Sequence, residues 1–180
     1  MDVARKSRVV PEEKKRYNKN SVGDAGRGLL SGKEGLMAYR EEWLDGARDD
    51  LTQAFAVRLE VFCEEQGYSP SVELDEQDRA AWHIVLWDGE EAAGTGRLYW
   101  KNEGVAGLGR IAVRRPWRGR GLGRMLLAAM EKQARALGAR QLELDAQCRA
   151  IGFYERSGFT VCGEEHMDGH VPHKMMRKIL

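Results

Sequence analysis

A glycine- and arginine-rich stretch, RRPWRGRGLGRMLL at residues 114–127, has the composition of a phosphate-binding loop. Gly119, Gly121 and Gly123 remove side chains at alternate positions, so the backbone amides can point toward one spot. The apolar periodicity that follows predicts a helix beginning at or near Gly121, whose unpaired first amides and positive dipole end face that spot. Such geometry binds phosphate or pyrophosphate. Charge for bidentate phosphate contacts would come from Arg115, Arg118, Arg120 and Arg124.

The opposing interpretation of this stretch is a glycine-rich turn with solvated arginines, because a lone glycine motif is weak evidence. Two common nucleotide-binding motifs are excluded. No Gly-Lys-Ser/Thr follows the glycines, as a Walker loop requires. The preceding strand follows an antiparallel meander and does not open a βαβ unit, which argues against a dinucleotide fingerprint.

Other reactive side chains lie in the last third of the chain. The segment HMDGHVPH contains His166, His170 and His173, a set that could bind zinc. Its spacing spans a predicted Asp168-Gly169 turn, and no cysteine or carboxylate array completes it, so we predict no metal site. Cys63 and Cys148 have no visible partner that would activate the thiol, so we interpret both as small apolar residues and not as nucleophiles.

The elements that must position these residues begin with a strand in LMAYREEW and a helix in DDLTQAFAVRLEVFCEEQG. Asp49 or Asp50 can cap that helix, and Gly67 ends it. Its predicted inner face consists of Leu51, Phe55, Leu59 and Phe62. Two strands, AWHIVLW and EAAGTGRLYW, are joined by an Asp88-Gly89 turn, and VAGLGRIAVRR forms the next strand.

The helix after the loop has one apolar stripe and ends at Gly138. The stripe consists of Leu122, Leu126, Ala129, Met130 and Leu137. RQLELDAQ alternates as a strand with Leu142, Leu144 and Ala146 on one face, RAIGFYERSG forms a short helix, and FTVCGEEHM and HKMMRKIL form two final strands. This order predicts an α/β domain of the α+β type, with a mixed, mostly antiparallel sheet flanked by helices, since a doubly wound sheet would alternate strand and helix throughout.

Composition sets the broad class of the protein. A length of 180 residues with 42% hydrophobic residues suits one packed domain, and a net charge of +1 gives no preference for polyanions such as nucleic acid. Three scattered cysteines favour a reducing compartment. Neither a long apolar run nor a secretory signal is present, so we expect a cytoplasmic protein without a membrane span.

Residues 1–35 differ from the rest of the chain, with nine Lys or Arg residues against five Asp or Glu and few bulky apolar side chains. We predict a basic, polar, poorly ordered leader there, followed by one folded domain over residues 36–180. A nucleic-acid-binding or membrane-binding arm is the alternative, but no aromatic repeat or heptad supports it.

Two motifs in this order carry a family resemblance. Arg118-x-x-Gly121-x-Gly123, after a strand and opening a helix, resembles the pyrophosphate motif of the GNAT N-acetyltransferase superfamily. QCRAIGFYERSGF at 147–159 resembles that family's Asn-x-x-Ala-x-x-Phe-Tyr-Glu-x-x-Gly-Phe. The element order over residues 36–180 also matches. The segments RLEVFCEEQ, GRIAV, LDAQ and DGHVPHKMM resemble the ElaA/YjcF-like branch.

The resemblance implies a fold whose fourth and fifth strands splay apart to admit the pantetheine arm of acetyl-CoA. The implied backbone contacts come from Ile111, Ala112 and Val113. The implied pyrophosphate contacts come from Arg118, Gly119, Arg120, Gly121, Leu122, Gly123 and Arg124. Gln147 replaces the family's usual Asn, and its longer amide could make a similar hydrogen bond to the cofactor end of the site.

The implied reaction is attack of a neutral amine on the thioester, with a main-chain N–H near Ile111 to Val113 stabilising the oxyanion. Tyr154 matches the residue that protonates the leaving thiolate, since phenol and thiol have pKa values of about 10 and about 8.5. The alternative interpretation of Tyr154 is an aromatic residue of the core. Candidates for the base are Glu65, His83, Glu143, Asp145 and His173, and a chain of ordered waters is the alternative. Strand alternation puts Glu143 and Asp145 opposite Leu142 and Leu144, where a solvated surface charge is the other interpretation. His173 is our choice as a catalytic residue on the acceptor side.

The predicted acceptor is a primary amine of a small molecule or a peptide, and a homodimer is expected by analogy alone. One rival is a non-catalytic acyl-CoA-binding or sensor domain of the same fold. Another is a nucleic-acid-associated protein that uses the basic leader and the arginine loop.

Overall fold

The computed structural model describes residues 39–180, so the leader predicted over residues 1–35 lies outside the described residues. The strands are β1 (Arg40–Asp45), β2 (Trp82–Asp88), β3 (Glu91–Asn102), β4 (Val105–Val113), β5 (Gln141–Gln147), β6 (Thr160–Asp168) and β7 (Val171–Ile179). The α-helices are α1 (Thr52–Arg58), α2 (Pro70–Glu73), α3 (Leu122–Ala136) and α4 (Ile151–Glu155). A π-helical segment, Leu59–Glu64, continues α1, and 3-10 turns cover Glu76–Ala80, Arg115–Trp117 and Cys148–Ala150.

The described strands form one seven-stranded sheet in the order β1-β2-β3-β4-β5-β7-β6. Among them, only β4 and β5 pair in parallel, and α3 makes the crossover between them. All other neighbours are antiparallel. The predicted α+β class with a mixed, mostly antiparallel sheet is confirmed.

One face of the sheet, called here the α3 face, carries the larger core. Leu142, Leu144 and Ala146 point into it from β5, as the strand alternation predicts. Most of the predicted α3 stripe is buried against them, and Gly138 ends the helix with φ 92°. The described part of the chain has no helix of the length and apolarity needed to cross a bilayer.

The opposite face, called the α1 face, is covered by α1 and its π-helical continuation. The inner residues are Ala54, Val57 and Val61, which pack on Val85, Ala92 and Ala112 of the sheet. The predicted inner face of Leu51, Phe55, Leu59 and Phe62 is therefore wrong for Phe55 and Leu59, which are only half-buried, whereas the half-buried Phe62 packs against this core. The π-helical turn that follows α1 is wider than an α-turn. Arg58 is buried, although the apolar pattern placed no inner-face residue at that position.

Arg58 belongs to a buried ionic network that holds α2 and the following 3-10 turn against the sheet. It donates to Glu73 Oε1 at 2.7 Å and to Asp78 Oδ1 at 2.7 Å. Arg97 of β3 reaches the same Asp78 oxygen at 2.8 Å. Burial acts to raise the pKa of Asp78, but hydrogen bonds from Arg58 and Arg97 outweigh it and lower that pKa to about 2.

Arg110 connects this network to β4. It is the one non-glycine residue with positive φ, 53°, in the described chain, and its guanidinium lies 3.1 Å from both Glu73 and Asp75 carboxylates. The β3–β4 register passes from Arg97↔Gly109 to Thr95↔Ala112, so β4 has one extra residue at this point. Such a bulge bends its strand and increases the local twist. Here it lies immediately after the last β4–β5 pair, Leu108↔Leu144.

We expect Asp78→Asn to lower the free energy of unfolding by about 3–5 kcal/mol, because it removes the charge that two buried arginines share. This loss of stability should depend on pH. Since the folded pKa of about 2 lies below the ordinary 3.8, Asp78 stabilises the fold above pH 4, and this contribution is lost as the pH falls through 2. Urea unfolding of both proteins at several pH values measures this.

Glu76→Gln is the matched control, because Glu76 is an exposed carboxylate in the same turn. It should change stability by less than about 0.5 kcal/mol. An Asp78→Asn protein as stable as the control would show that the network does not hold the fold.

Candidate active site

The divergence of β4 and β5 opens a gap in the middle of the sheet. The two strands pair over four residues each, from Val105↔Gln141 to Leu108↔Leu144. Beyond that point β4 continues on β3, and β5 continues on β7 as far as Gln147↔His173. Each strand keeps its outer partner, so the facing edges are left for another extended group. The expected splaying of the fourth and fifth strands is confirmed.

The glycine–arginine loop ends beside this gap, where α3 begins. Gly121 is the N-cap of α3 with φ 85°, and Gly119 has φ 79°, a region that side chains other than glycine rarely adopt. The backbone N–H groups of residues 119–123 donate to no described residue. Five consecutive free amides at a helix N-terminus fit a phosphate or pyrophosphate group. Arg120 and Arg124 are exposed beside them.

Gly123 brings α4 close to the same loop. A Cβ at this position would lie 3.4 Å from Cζ of Phe153, so a side chain larger than alanine would displace that ring. Phe153 in turn contacts Tyr154 edge to face, with ring centroids 5.0 Å apart. The third glycine therefore serves helix packing as well as amide access, and it places Tyr154 near the start of α3.

Tyr154 is half-buried and packs against the α3-face core and its aromatic neighbours. Phe159 contacts its ring at 6.1 Å between centroids, and the hydroxyl hydrogen-bonds to none of the described side chains or backbone groups. Burial raises the pKa of Tyr154 to about 12. The phenol is thus fully protonated at neutral pH and free to donate.

Arg118 is already paired with a carboxylate. Its Nη1 and Nη2 atoms lie 2.8 and 3.0 Å from the two oxygens of Glu65, at the end of the π-helical segment, and Arg115 lies 3.6 Å from the same group. Hydrogen bonding from Arg118 lowers the pKa of Glu65. Glu65, one of the candidate bases, thus lies at the phosphate loop as a counter-ion.

The last residues of β4 border the gap as expected, with one contact that the sequence did not predict. Ile111 and Val113 pack toward the α3 face, while Ala112 faces α1. The Val113 carbonyl accepts a hydrogen bond from Arg118 Nε at 2.8 Å. Arg118 therefore joins the end of β4 to Glu65.

On the α1 face, the end of β5 is covered by the segment that follows the π-helix. Gln147 Nε2 donates to Gln66 Oε1 at 2.8 Å, and the Gln66 carbonyl lies 2.9 Å from His170 Nε2. Tyr68 stacks against the His170 ring at 5.3 Å. The turn between β6 and β7 thus reaches over Gln147 to the residues beside Glu65.

His173 lies under this cover, directly opposite Gln147 and next to His166 in the sheet. It is 5% exposed, and its Nδ1 hydrogen-bonds to the Val171 carbonyl at 2.9 Å. His166 points instead toward β5, where its Nε2 lies 2.9 Å from Asp145 Oδ2. This hydrogen bond raises the pKa of His166.

The remaining candidate bases have other partners. Glu143 pairs with Lys101, and His83 is buried beside Asp78, away from the gap, where burial lowers the pKa of the imidazole. Within residues 39–180 no group of three or more His, Cys, Asp or Glu residues has a metal-binding arrangement. Sequence reasoning missed Gln66, Tyr68 and His166 as neighbours of the site, because the register of β5, β7 and β6 brings in His166 and the packing of the segment after the π-helix brings in the other two.

Comparison with known proteins agrees with this geometry. Residues 38–159 match the model of the acetyltransferase (GNAT) family. YjcF of Bacillus subtilis, described as an uncharacterized N-acetyltransferase, is 40% identical over 131 residues, 72% of this chain and 93% of that protein.

Two solved structures share the fold. An acyl-CoA N-acyltransferase from Pseudomonas aeruginosa has a TM-score of 0.72 at 26% identity, covering 78% of this chain and 99% of the other. Escherichia coli ElaA has a TM-score of 0.71 at 22% identity, with the same coverage. The family match, the identity with YjcF and the fold together show that this chain belongs to the GNAT acetyltransferase family, in the branch of YjcF and ElaA.

Proposed function

We propose that this enzyme transfers the acetyl group of acetyl-CoA to a primary amine of a small molecule or a peptide. The family as a whole uses acyl-CoA. The observation that carries the proposal is the row of free amides at residues 119–123, beside a gap with two unpaired strand edges. A pyrophosphate fits the amides, and an extended pantetheine arm, with its own amides, fits the strand edges.

Each part of the site then has a role in holding the cofactor. Gly119 to Arg124 receive the pyrophosphate, with Arg118, Arg120 and Arg124 supplying charge. Ile111, Ala112 and Val113 offer backbone groups along the gap. Gln147 lies at the far side on β5, where its amide is already engaged by Gln66.

The chemistry needs an acid for the leaving group. Acetyl-CoA supplies the thioester carbonyl, and Tyr154 is the donor beside the gap. A pKa of about 12 makes the phenol a weak acid toward a thiolate in water. A thiolate next to Tyr154 would be desolvated as well, and burial raises the pKa of a thiol in the same direction.

A non-catalytic acyl-CoA sensor is less well supported. A sensor needs the loop and the gap, but it has no use for a protonated hydroxyl that has no hydrogen-bond partner among the described residues. His173, the acceptor-side catalytic residue predicted from the sequence, lies on β7 behind Gln147 and is 5% exposed.

We infer a cytoplasmic site of action, because acetyl-CoA chemistry and three free cysteines suit a reducing compartment. The homodimer stays a prediction by analogy.

The double variant Gly121→Glu, Gly123→Glu should weaken acetyl-CoA binding at least tenfold. It places two carboxylates among the phosphate-binding amides, and lost charge-assisted hydrogen bonds cost about 1.5–3 kcal/mol each. Isothermal titration calorimetry measures the dissociation constant.

The control is Gly138→Glu at the other end of α3. Gly138 also has positive φ, 92°, with no atom within 4 Å of a Cβ, so this variant matches the backbone strain of Gly121→Glu and adds one carboxylate away from the loop. Equal loss of acetyl-CoA affinity in the control, or no loss in the double variant, would refute phosphate binding by the amides of residues 119–123.

Tyr154→Phe should lower kcat about 10²–10⁴-fold, because it removes the proton donor for the leaving thiolate. Acetyl-CoA affinity should change less than about threefold, since the ring packing is kept. Thiol release and calorimetry give the two values, with Tyr99→Phe as control. A Tyr154→Phe enzyme with full kcat would contradict the acid role.

Glu65→Gln should tighten acetyl-CoA binding several-fold, because Glu65 competes with phosphate for Arg118. Glu64→Gln, at an exposed neighbouring carboxylate, is the control and should have little effect. Weaker binding by Glu65→Gln would instead mean that the ion pair holds Arg118 in its phosphate-binding position. Isothermal titration calorimetry shows whether the dissociation constant for acetyl-CoA falls or rises.

A further inference from the structure

Asp145 occupies the point where β5 leaves β4. It is the first residue after the last β4–β5 pair, Leu108↔Leu144, and it still pairs with Met175 of β7. Its neighbours Leu144 and Ala146 point into the core of the α3 face, so its side chain lies on the α1 face with those of Gln147 and His173. The carboxylate is therefore at the apex of the gap, on the face opposite the α3 core.

The carboxylate is oriented from across the sheet. His166 of β6 reaches over β7 and places Nε2 at 2.9 Å from Asp145 Oδ2. Among the described residues, no hydrogen-bond donor is found for the other oxygen, Oδ1. The side chains of Asp145 and His166 are 35% and 47% exposed, so a small molecule can reach both. One oxygen is fixed and the other is available.

We propose that Asp145, positioned by His166, binds the acceptor amine through Oδ1 and takes the proton that this nitrogen loses during acetyl transfer. The inference rests on the proposed function. The amine nitrogen forms the new C–N bond to the thioester carbonyl carbon, which gives the nitrogen a positive charge and makes it acidic. Its proton passes to Asp145 Oδ1. The C–S bond breaks, and the sulfur receives the Tyr154 hydroxyl proton. Solvent beside the exposed His166 takes the proton from Asp145 and restores that of Tyr154.

The other candidate bases are less well placed for this step. Glu143, two residues earlier on the same strand, lies within the paired part of β5, opposite Gly107 and engaged by Lys101. Glu65 is bound by Arg118 at the phosphate loop. His173 shares the face of Asp145, but it is 5% exposed. Asp145 combines a position at the apex with an accessible acceptor atom.

The test uses two small amines that need no shaped acceptor pocket. Methylamine resembles the lysine side chain, with a pKa of about 10.4, and it attacks to give an ammonium that needs a base. Hydroxylamine is a much weaker base, so its nitrogen sheds the proton to water more readily. Thiol release from acetyl-CoA is measured with each amine for the wild type, Asp145→Asn and the control Glu143→Gln.

We expect Asp145→Asn to lower kcat with methylamine about 100-fold or more, the usual size of a general-base effect. The loss with hydroxylamine should be at least tenfold smaller, because that nitrogen depends less on the base. Acetyl-CoA affinity by calorimetry should be unchanged, and Glu143→Gln should resemble the wild type with both amines.

The outcomes separate the inference from the proposed function. A wild type that binds acetyl-CoA but acetylates neither amine would overturn acetyl transfer, and the inference with it. A wild type active on both, with Asp145→Asn unchanged or reduced equally for both amines, would overturn the inference alone. A large loss in a His173→Gln variant, with Asp145→Asn active, would assign the base to His173.

His166 is a positioning residue, and two variants test that role. His166→Gln keeps an N–H that can donate to Asp145, whereas His166→Leu does not. We expect His166→Leu to show the same preference for hydroxylamine over methylamine as Asp145→Asn, and His166→Gln to recover most of the methylamine activity. Equal activity of the two variants would contradict the role.

Discussion

The separation of β4 from β5 is the constraint on which the site depends, and the bulge at Arg110 accompanies it. A non-glycine residue with φ near 53° is uncommon, and such conformations cost about 1–3 kcal/mol. Here the guanidinium is tied to Glu73 and Asp75, so the ionic network that fixes α2 also holds the strained residue. The strand bends at the position where its pairing with β5 stops. Without that bend, parallel pairing could continue and the gap would close.

The segment from Glu65 to Tyr68 links the two sides of this gap. Glu65 neutralises Arg118 at the phosphate loop, while its neighbour Gln66 bonds to Gln147 and His170 at the end of β5. The Arg118–Glu65 pair and the cover over the α1 face are thus joined through one peptide unit. The widened π-helical turn before it, closed by the Glu65 N–H to Glu60 carbonyl bond of 3.1 Å, sets where these side chains point.

The two walls of the gap differ in solvation. Tyr154 is packed among Phe153 and Phe159 on the α3 side, and burial raises its pKa to about 12. Asp145 and His166, on the α1 side, are partly exposed and hydrogen-bonded to each other. A protonated hydroxyl packed among aromatic rings and a partly exposed carboxylate hydrogen-bonded to a histidine suit opposite directions of proton transfer.

The sequence by itself determined the element order, the core faces of α3 and β5, the start of α3 at Gly121 and, through two motifs, the family. These features are local: periodicity, glycine conformation and short motifs act within one element or its turn. Tertiary structure decided that Arg58 is buried, that Glu65 meets Arg118, and that His166 meets Asp145. Glu65 and Arg118 are 53 residues apart in the chain, and Asp145 and His166 are 21 residues apart. Only the bulge, the π-helical turn and the β5-β7-β6 register fix them, because such contacts depend on how strands and helices pack and not on any pattern within one of them.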